Sequence, residues 1–199
     1  YITEAASELP ITLVNGYLAG DNIYSTVCDD HAAMYGAAAQ LLQAGRKRIL
    51  YLYTSYSYSG VNKLEGYKDA LKAYGMEPCD ELIRQCPKDI SAAKELLLSL
   101  HGQGLEFDAV MTSDDSLAVG TVKYAHASGI SIPDELNIIG YNNSILSRCT
   151  DPEITSIDSK VEALCTTTIN TLMGVFSGVN VPSRTTIASD LIKRKTTNF

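Results

Sequence analysis

Polar and aromatic side chains follow three apolar runs of the sequence, each where a strand is expected to end. Residues 54–59 all carry hydroxyl groups and include Tyr56 and Tyr58, while Asp114 follows the second run and Asn142 follows the third. Carboxylates and amides form paired hydrogen bonds with sugar hydroxyls, and an aromatic ring covers the apolar face of a sugar. These residue types predict a site for a small polyhydroxylated ligand.

Each candidate residue also has a structural role open to it. Asp114 could cap the helix that follows it, and Asn142 could form a turn with Asn143. Asn15, at the end of an earlier short strand, is a further candidate for ligand binding. The shared position of these residues at strand ends favours the binding role.

Catalytic and metal-binding patterns are missing from the sequence. There is no GxxxxGK[ST], GxGxxG, GxSxG or HExxH motif. Asp114 and Asp115 are adjacent, so their side chains point in different directions and make a poor acid–base pair. The five cysteines include no CxxC pair, and the three histidines have no metal-ligand spacing. We therefore predict a protein that is not an enzyme and uses no metal ion or other cofactor.

The composition indicates a folded, acidic protein. A hydrophobic content of 45% is enough for a core. The net charge of −7 argues against direct nucleic-acid binding, which depends on basic residues, and the short basic cluster at 193–195 is expected to be a solvated tail. No apolar run approaches the roughly 20 residues of a membrane span. Widely spaced, odd-numbered cysteines favour the reducing cytoplasm.

Short β-prone runs alternate with longer helical patterns along the chain. This alternation predicts an α/β fold with a parallel sheet and helices on both faces, in which ligands bind beyond the carboxyl ends of the strands. The predicted strands are 11–14, 49–53, 81–86, 108–112 and 136–140, with a β-prone stretch at 185–192. The predicted helices are 31–44, one that ends at Gly75, 90–100, 116–127 and 161–176.

Six segments, in order along nearly the whole chain, match the sequence patterns of one family. They are 41–49 (LxxxGHxxI, with Arg46 for His), 63–67 (RxxG[FY], with Lys63 for Arg), 108–120 (DAVxxxxDxxAxG), 129–142 (GxxIPxDxxIIG[YF]D), 152–157 (PxLTTI) and 191–197 (L[IV]xRx[ST]T). With these matches the chain resembles the effector-binding part of the lactose-repressor/galactose-repressor (LacI/GalR) family of transcriptional regulators.

The resemblance implies a periplasmic-binding-protein type I fold, with two Rossmann-like lobes joined by three crossovers and an effector between them. Residues 46–147 and 181–199 are expected to form a complete C-terminal lobe. Residues 1–45 and 148–180 are expected to be the remnant of an N-terminal lobe, so that the chain is expected to be truncated and to lack the DNA-binding head.

The resemblance also assigns ligand-binding positions and partners. Lys63 stands where the family usually has Arg, Asp114 where it has Asn or Asp, and Asn142 where it has Asp. The implied partners are a sugar or related metabolite, a second copy of the chain in a homodimer, and operator DNA through the absent head only. No membrane partner is implied.

Three functional hypotheses remain open from the sequence. The first is a cytoplasmic ligand sensor that controls DNA binding allosterically. The second is a periplasmic sugar-binding protein of an ABC transporter, which shares the fold but fits the five unpaired cysteines and the ending Arg194–Thr197 less well. The third, a sugar- or nucleotide-processing enzyme, needs a catalytic pair that the sequence does not show.

Overall fold

The computed structural model describes residues 1–199 as six α-helices and nine β-strands. The strands are β1 (Ile11–Val14), β2 (Ile23–Cys28), β3 (Ile49–Tyr53), β4 (Ile83–Gln85), β5 (Ala109–Thr112), β6 (Asn137–Tyr141), β7 (Thr155–Asp158), β8 (Arg184–Ile187) and β9 (Asp190–Ile192). The helices are α1 (Ile2–Ala6), α2 (Asp30–Gln43), α3 (Tyr58–Ala73), α4 (Ile90–Gly102), α5 (Asp115–Ser128) and α6 (Val161–Phe176). No helix combines the length and hydrophobicity that crossing a membrane requires.

The strands form two separate sheets. The large sheet has the order β4-β3-β5-β6-β7-β9 and is parallel except for β9, which runs antiparallel to β7. The small sheet has the order β1-β2-β8 and is entirely parallel. This arrangement confirms the predicted α/β fold with parallel sheets.

Side chains of the central strands alternate between two cores, one on each face of the large sheet. Leu50 and Leu52 of β3 face a core shared with α4 and α5. Ile49 and Tyr51 of the same strand face a core shared with α2 and α3. Because both faces are covered by helices, the strand is apolar at every position, as a buried parallel strand must be.

Two strands that the sequence analysis missed complete the sheets. β2 contains Ser25 and Thr26, and β7 contains Thr155 and Ser156, so neither has the continuous apolar run that marks β3. All four of these polar residues are buried. Their placement depends on pairing with strands distant in sequence, which local pattern cannot reveal.

Three elements belong to a different sheet from the one that the expected lobe boundaries imply. α2, expected with the first lobe, packs its buried face (Met34, Ala37 and Leu41) on the large sheet beside α3. β7, also expected with the first lobe, is a strand of the large sheet, whereas β8, expected with the second, pairs with β2. The chain therefore changes sheet at residues 28–30, 158–161 and 187–190, which we call the three crossovers.

The segment after β9 is integrated into the large sheet. The hydroxyl of Thr196 donates to the carbonyl of Ile138 at 2.7 Å and accepts from the amide of Thr155 at 2.9 Å. Arg194 donates to the carbonyl of Ile154 at 2.7 Å, and its side chain is 8% exposed. The expectation of a solvated basic tail is therefore wrong for Arg194, because its guanidinium and the following threonines bind backbone groups of β6 and the residues around β7.

Gly66 marks the closest approach of two helices. It lies on α3, and a Cβ atom there would collide with the backbone carbonyl of His31 at the start of α2. We expect Gly66→Ala to lower the free energy of unfolding by about 1–3 kcal/mol, because neither backbone can move without disturbing a packed core. Urea unfolding followed by circular dichroism measures this change.

Gly36 on α2 provides the matched control. It has nothing within 4 Å of an added Cβ, so Gly36→Ala should instead stabilise the helix by roughly 0.5–1 kcal/mol. Equal effects of the two substitutions would contradict the close helix approach.

Candidate functional site

The carboxyl ends of the parallel strands in both sheets lie at the crossovers. β2, β7 and β8 each lead directly into a crossover, and the loops after β3, β5 and β6 border the same region. We call the space between the two sheets at this edge the cleft. It is where ligands bind in open α/β sheets.

Asp114 and Asn142 are brought together at the edge of the large sheet. The Asn142 amide donates to Asp114 Oδ2 at 2.9 Å, and the Lys88 ammonium lies 2.7 Å from the same oxygen. The other oxygen, Oδ1, accepts from the backbone amide and hydroxyl of Ser116 at 2.9 and 2.6 Å. Asp114 therefore caps α5 with one oxygen and presents the other to polar groups, so that the capping and site roles coexist.

Lys88 is a site residue that the sequence analysis missed. It follows β4, so the strand-end rule that selected Asp114 could have found it. Burial by itself raises the pKa of Asp114, but hydrogen bonds from Lys88 and Ser116 outweigh burial and hold the pKa below its usual value. The carboxylate is thus ionised at neutral pH and ready to accept hydrogen bonds.

Asp115 points the opposite way from Asp114. Its oxygens accept from the hydroxyl of Ser156 at 2.6 Å and from the amide and hydroxyl of Ser144 at 2.7 and 2.8 Å. Burial raises the pKa of this carboxyl group, against the lowering effect of those hydrogen bonds. Asp115 therefore fixes the loop that carries Asn142 and plays no direct part in the cleft, which agrees with the expectation that the two carboxylates diverge.

Lys63 lies in the interior below the crossovers. Its ammonium is 4.0 Å from Asp30 Oδ1, 3.6 Å above the ring of Tyr141 and 3.4 Å from the carbonyl of Ser113. The hydroxyl of Tyr141 donates to the same Asp30 oxygen at 2.5 Å. Burial lowers the pKa of Lys63, and the charge of Asp30 opposes that effect.

The crossovers add further buried polar groups around this pair. The Cys28 thiol donates to the carbonyl of Ser159 at 3.0 Å, and burial raises its pKa to about 11. Asp30 Oδ2 and the hydroxyls of Tyr51, Ser159 and Ser189 have no protein partner although they are buried. Charged and polar atoms are thus concentrated where the chain passes between the sheets.

The remaining sequence-based candidates lie apart from Asp114. Tyr56 is 64% exposed, and its hydroxyl meets that of Tyr53. Tyr58, the first residue of α3, accepts a hydrogen bond from Arg184 at 2.7 Å. Asn15 ends β1 with a φ of 54°, and its side chain accepts from the amide of Cys28 at 3.4 Å. The structure therefore joins Asp114 and Asn142, but it does not gather all six candidates into one cluster.

A cavity of about 630 Å³ opens beside Asn142. It is bounded by the loop after β6, by the second crossover and by the first turn of α6; its lining residues are Asn142, Asn143, Ser144, Asp158, Lys160, Val161, Glu162 and Ala163. Lys160 pairs with Asp158 at 3.2 Å and with Asp190 at 2.7 Å, so its charge is compensated. The volume lies within the range of small-molecule sites, and six of the eight lining residues have polar or charged side chains.

Two sheets joined by three crossovers around a polar cleft define the class of periplasmic-binding-protein-like folds. The chain belongs to this family, since the family model for the periplasmic binding protein-like domain matches residues 38–197. A transcriptional regulator of the HTH type from Lachnoclostridium phytofermentans is 56% identical over the whole chain. The Escherichia coli regulator AscG is 29% identical over 97% of the chain.

The two solved structures described next, which resemble the chain, are also transcriptional regulators. The crystal structure of the Escherichia coli repressor AscG matches 98% of the chain and 71% of its own with a TM-score of 0.86 and 28% identity. A sugar-binding LacI-family regulator from Escherichia coli, complexed with phosphate, matches 98% of the chain and 70% of its own with a TM-score of 0.88 and 28% identity. The resemblance to LacI/GalR regulators is thereby confirmed, and the transporter alternative is not favoured.

The chain spans 60% and 57% of the length of the first two of these relatives, the regulators from Lachnoclostridium phytofermentans and Escherichia coli. Both are transcriptional regulators and neither is an enzyme by name. The comparison thus concerns a part of such regulators that contains a periplasmic binding protein-like domain.

Proposed function

We propose that this chain is the ligand-sensing part of a LacI-type transcriptional repressor, and that it binds a small sugar-like effector in the cleft. The observation that carries the proposal is the pairing of Asp114 with Asn142 and Lys88 at the carboxyl edge of the large sheet. An ionised carboxylate, an amide and an ammonium offer both acceptors and donors to a hydroxylated ligand. The adjacent cavity has space for one monosaccharide-sized molecule.

The proposed mechanism is a coupling of binding to the arrangement of the two sheets, without a chemical step. An effector that contacts both sides of the cleft favours one arrangement by the difference in its affinity for the two. The small sheet and α6 would act as one lobe, and the large sheet with α2 to α5 as the other. Asp114, Asn142 and Lys88 would serve on the large-sheet side, with Tyr56, Tyr58, Lys63 and Asn15 as the weaker candidates.

The wider assignment follows from the relatives. The whole protein would act in the cytoplasm as a homodimer and would contact operator DNA through a head outside this chain. The acidic charge of the chain supports this division, because direct DNA contact requires basic residues. No catalytic role is proposed.

A thermal-shift screen of the full-length protein against sugars, sugar phosphates and purines tests the proposal. A ligand that binds only the native state stabilises it by about 2.7 kcal/mol at roughly 100 times its Kd, so its melting temperature rises. We expect a sugar or sugar derivative to give such a shift. We expect Asp114→Ala to abolish it, because the substitution removes the main acceptor and leaves Lys88 and Asn142 unpaired.

Asp134→Ala is the matched control, because Asp134 is an exposed carboxylate of the same large-sheet region with no side-chain partner. It should leave the shift unchanged. A ligand shift that survives Asp114→Ala would place the effector elsewhere. No shift with any of the three compound classes, in a folded protein, would contradict the proposed sugar sensor.

A further inference from the structure

Outside the three crossovers, one side-chain hydrogen bond joins the small sheet to the elements of the large sheet. Arg184 Nη2 on β8 donates to the hydroxyl of Tyr58 on α3 at 2.7 Å. All other direct contacts of this kind between the two halves, such as the bond from Cys28 to Ser159, belong to the crossovers themselves. The Arg184–Tyr58 bond is therefore the polar tie that spans the cleft.

Aromatic contacts reinforce this tie from both sides. The Arg184 guanidinium lies 5.0 Å from the ring centre of Tyr17 and 5.8 Å from that of Tyr58. The two rings are themselves 5.8 Å apart. Tyr17 follows β1 on the small sheet, so the cation and the two rings form a triangle of mutual contacts to which each side of the cleft contributes one ring.

The chemistry of Arg184 fits a contact that can be broken. Arg184 pairs with no acidic side chain, and it is exposed, as is Tyr17. An exposed cation–π contact and a single hydrogen bond from the exposed guanidinium to an uncharged hydroxyl are each weaker than the buried charge pair beneath the crossovers. The crossovers thus connect the halves covalently, and this contact is the weaker link between them.

We propose that Tyr17, Tyr58 and Arg184 form a latch that holds the two sheets in the arrangement described above. Opening the latch frees the edge of the cleft beside α3, and closing it brings the small sheet against the large one. The inference rests on the proposed function only in one respect: an effector in the cleft would act by shifting the balance between the latched and unlatched arrangements.

Hydrogen–deuterium exchange of the full-length protein without any ligand tests the latch. The variants are Arg184→Leu, Tyr58→Phe and the double variant, with the hydrogen-bonded backbone amides of Ser25 on β2 and Val61 near the start of α3 as the readout. We expect each single variant to exchange about 3- to 10-fold faster there, as the loss of one hydrogen bond predicts. The double variant should match Arg184→Leu, because both substitutions remove the same bond.

Tyr74→Phe is the control for the loss of a tyrosine hydroxyl. Its hydroxyl accepts from Gln43 at 2.6 Å between two helices of the large sheet, so exchange at the Ser25 amide should not change. Unchanged exchange in Arg184→Leu and Tyr58→Phe, or effects that simply add in the double variant, would overturn the latch. Since no ligand is used, this failure is distinct from a negative thermal-shift screen.

Discussion

Replacing Lys63 by Met is expected to lower the free energy of unfolding by about 3–5 kcal/mol, since it leaves the buried Asp30 carboxylate without a compensating charge. Asp30 is 1% exposed, and one of its oxygens already lacks a hydrogen-bond partner. Met retains the length and the apolar stem of Lys63, so the effect isolates the charge. Urea unfolding of the full-length protein, followed by circular dichroism, measures it.

The double variant Lys63→Met/Asp30→Asn separates charge from packing. It removes both charges while the Asn oxygen can still accept from Tyr141, so much of the lost stability should return. Lys123→Met, at an exposed position of α5, is the control and should change the free energy by less than about 0.5 kcal/mol. If the double variant is no more stable than Lys63→Met, the unpaired charge of Asp30 is not the cause of the lost stability.

Asp115→Ala should be nearly as damaging, with a loss of about 3 kcal/mol. The substitution leaves the amide and hydroxyl of Ser144 and the hydroxyl of Ser156 without their acceptor. Asp115 also fills the space beside Gly140, where any Cβ would collide with its carboxylate. The loop that holds Asn142 should loosen, and its amides should exchange faster in the same hydrogen–deuterium experiment.

Asp134→Ala again supplies the comparison for Asp115→Ala. It removes an exposed carboxylate with no side-chain partner, so neither stability nor exchange at residues 142–144 should change. If Asp115→Ala unfolds at the same urea concentration as Asp134→Ala, the hydrogen bonds to Ser144 and Ser156 contribute nothing to stability, and the account given for Asp115 fails.

The Asp114–Asn142 pairing could be predicted because it needs only local information. Each residue follows an apolar strand, and parallel strands place their carboxyl ends at one edge. The position of Lys63 could not be predicted in this way. Its place in the interior depends on Asp30, which is distant in sequence and was not selected by any pattern, and on the ring of Tyr141.

Arg184 illustrates a second limit of sequence reading. It directly precedes the predicted β-prone stretch at 185–192, whose division into β8 and β9, on different sheets, is set by tertiary pairing. Nothing adjacent in sequence connects it with Tyr17 or Tyr58, since those contacts exist only when three distant segments meet. The strand-end rule selected Tyr58, but its partner required the structure.

The order of the strands in the small sheet has a consequence for how the protein is made. Ser25 of β2 pairs with Arg184 of β8, so one edge of β2 waits for a partner from a much later part of the chain. At a synthesis rate of about 5–20 residues per second, roughly 10–30 s separate the two strands on the ribosome. Throughout that interval the nascent chain carries an open strand edge, which is the feature that chaperones protect and that neighbouring nascent chains on a polysome can pair with by mistake.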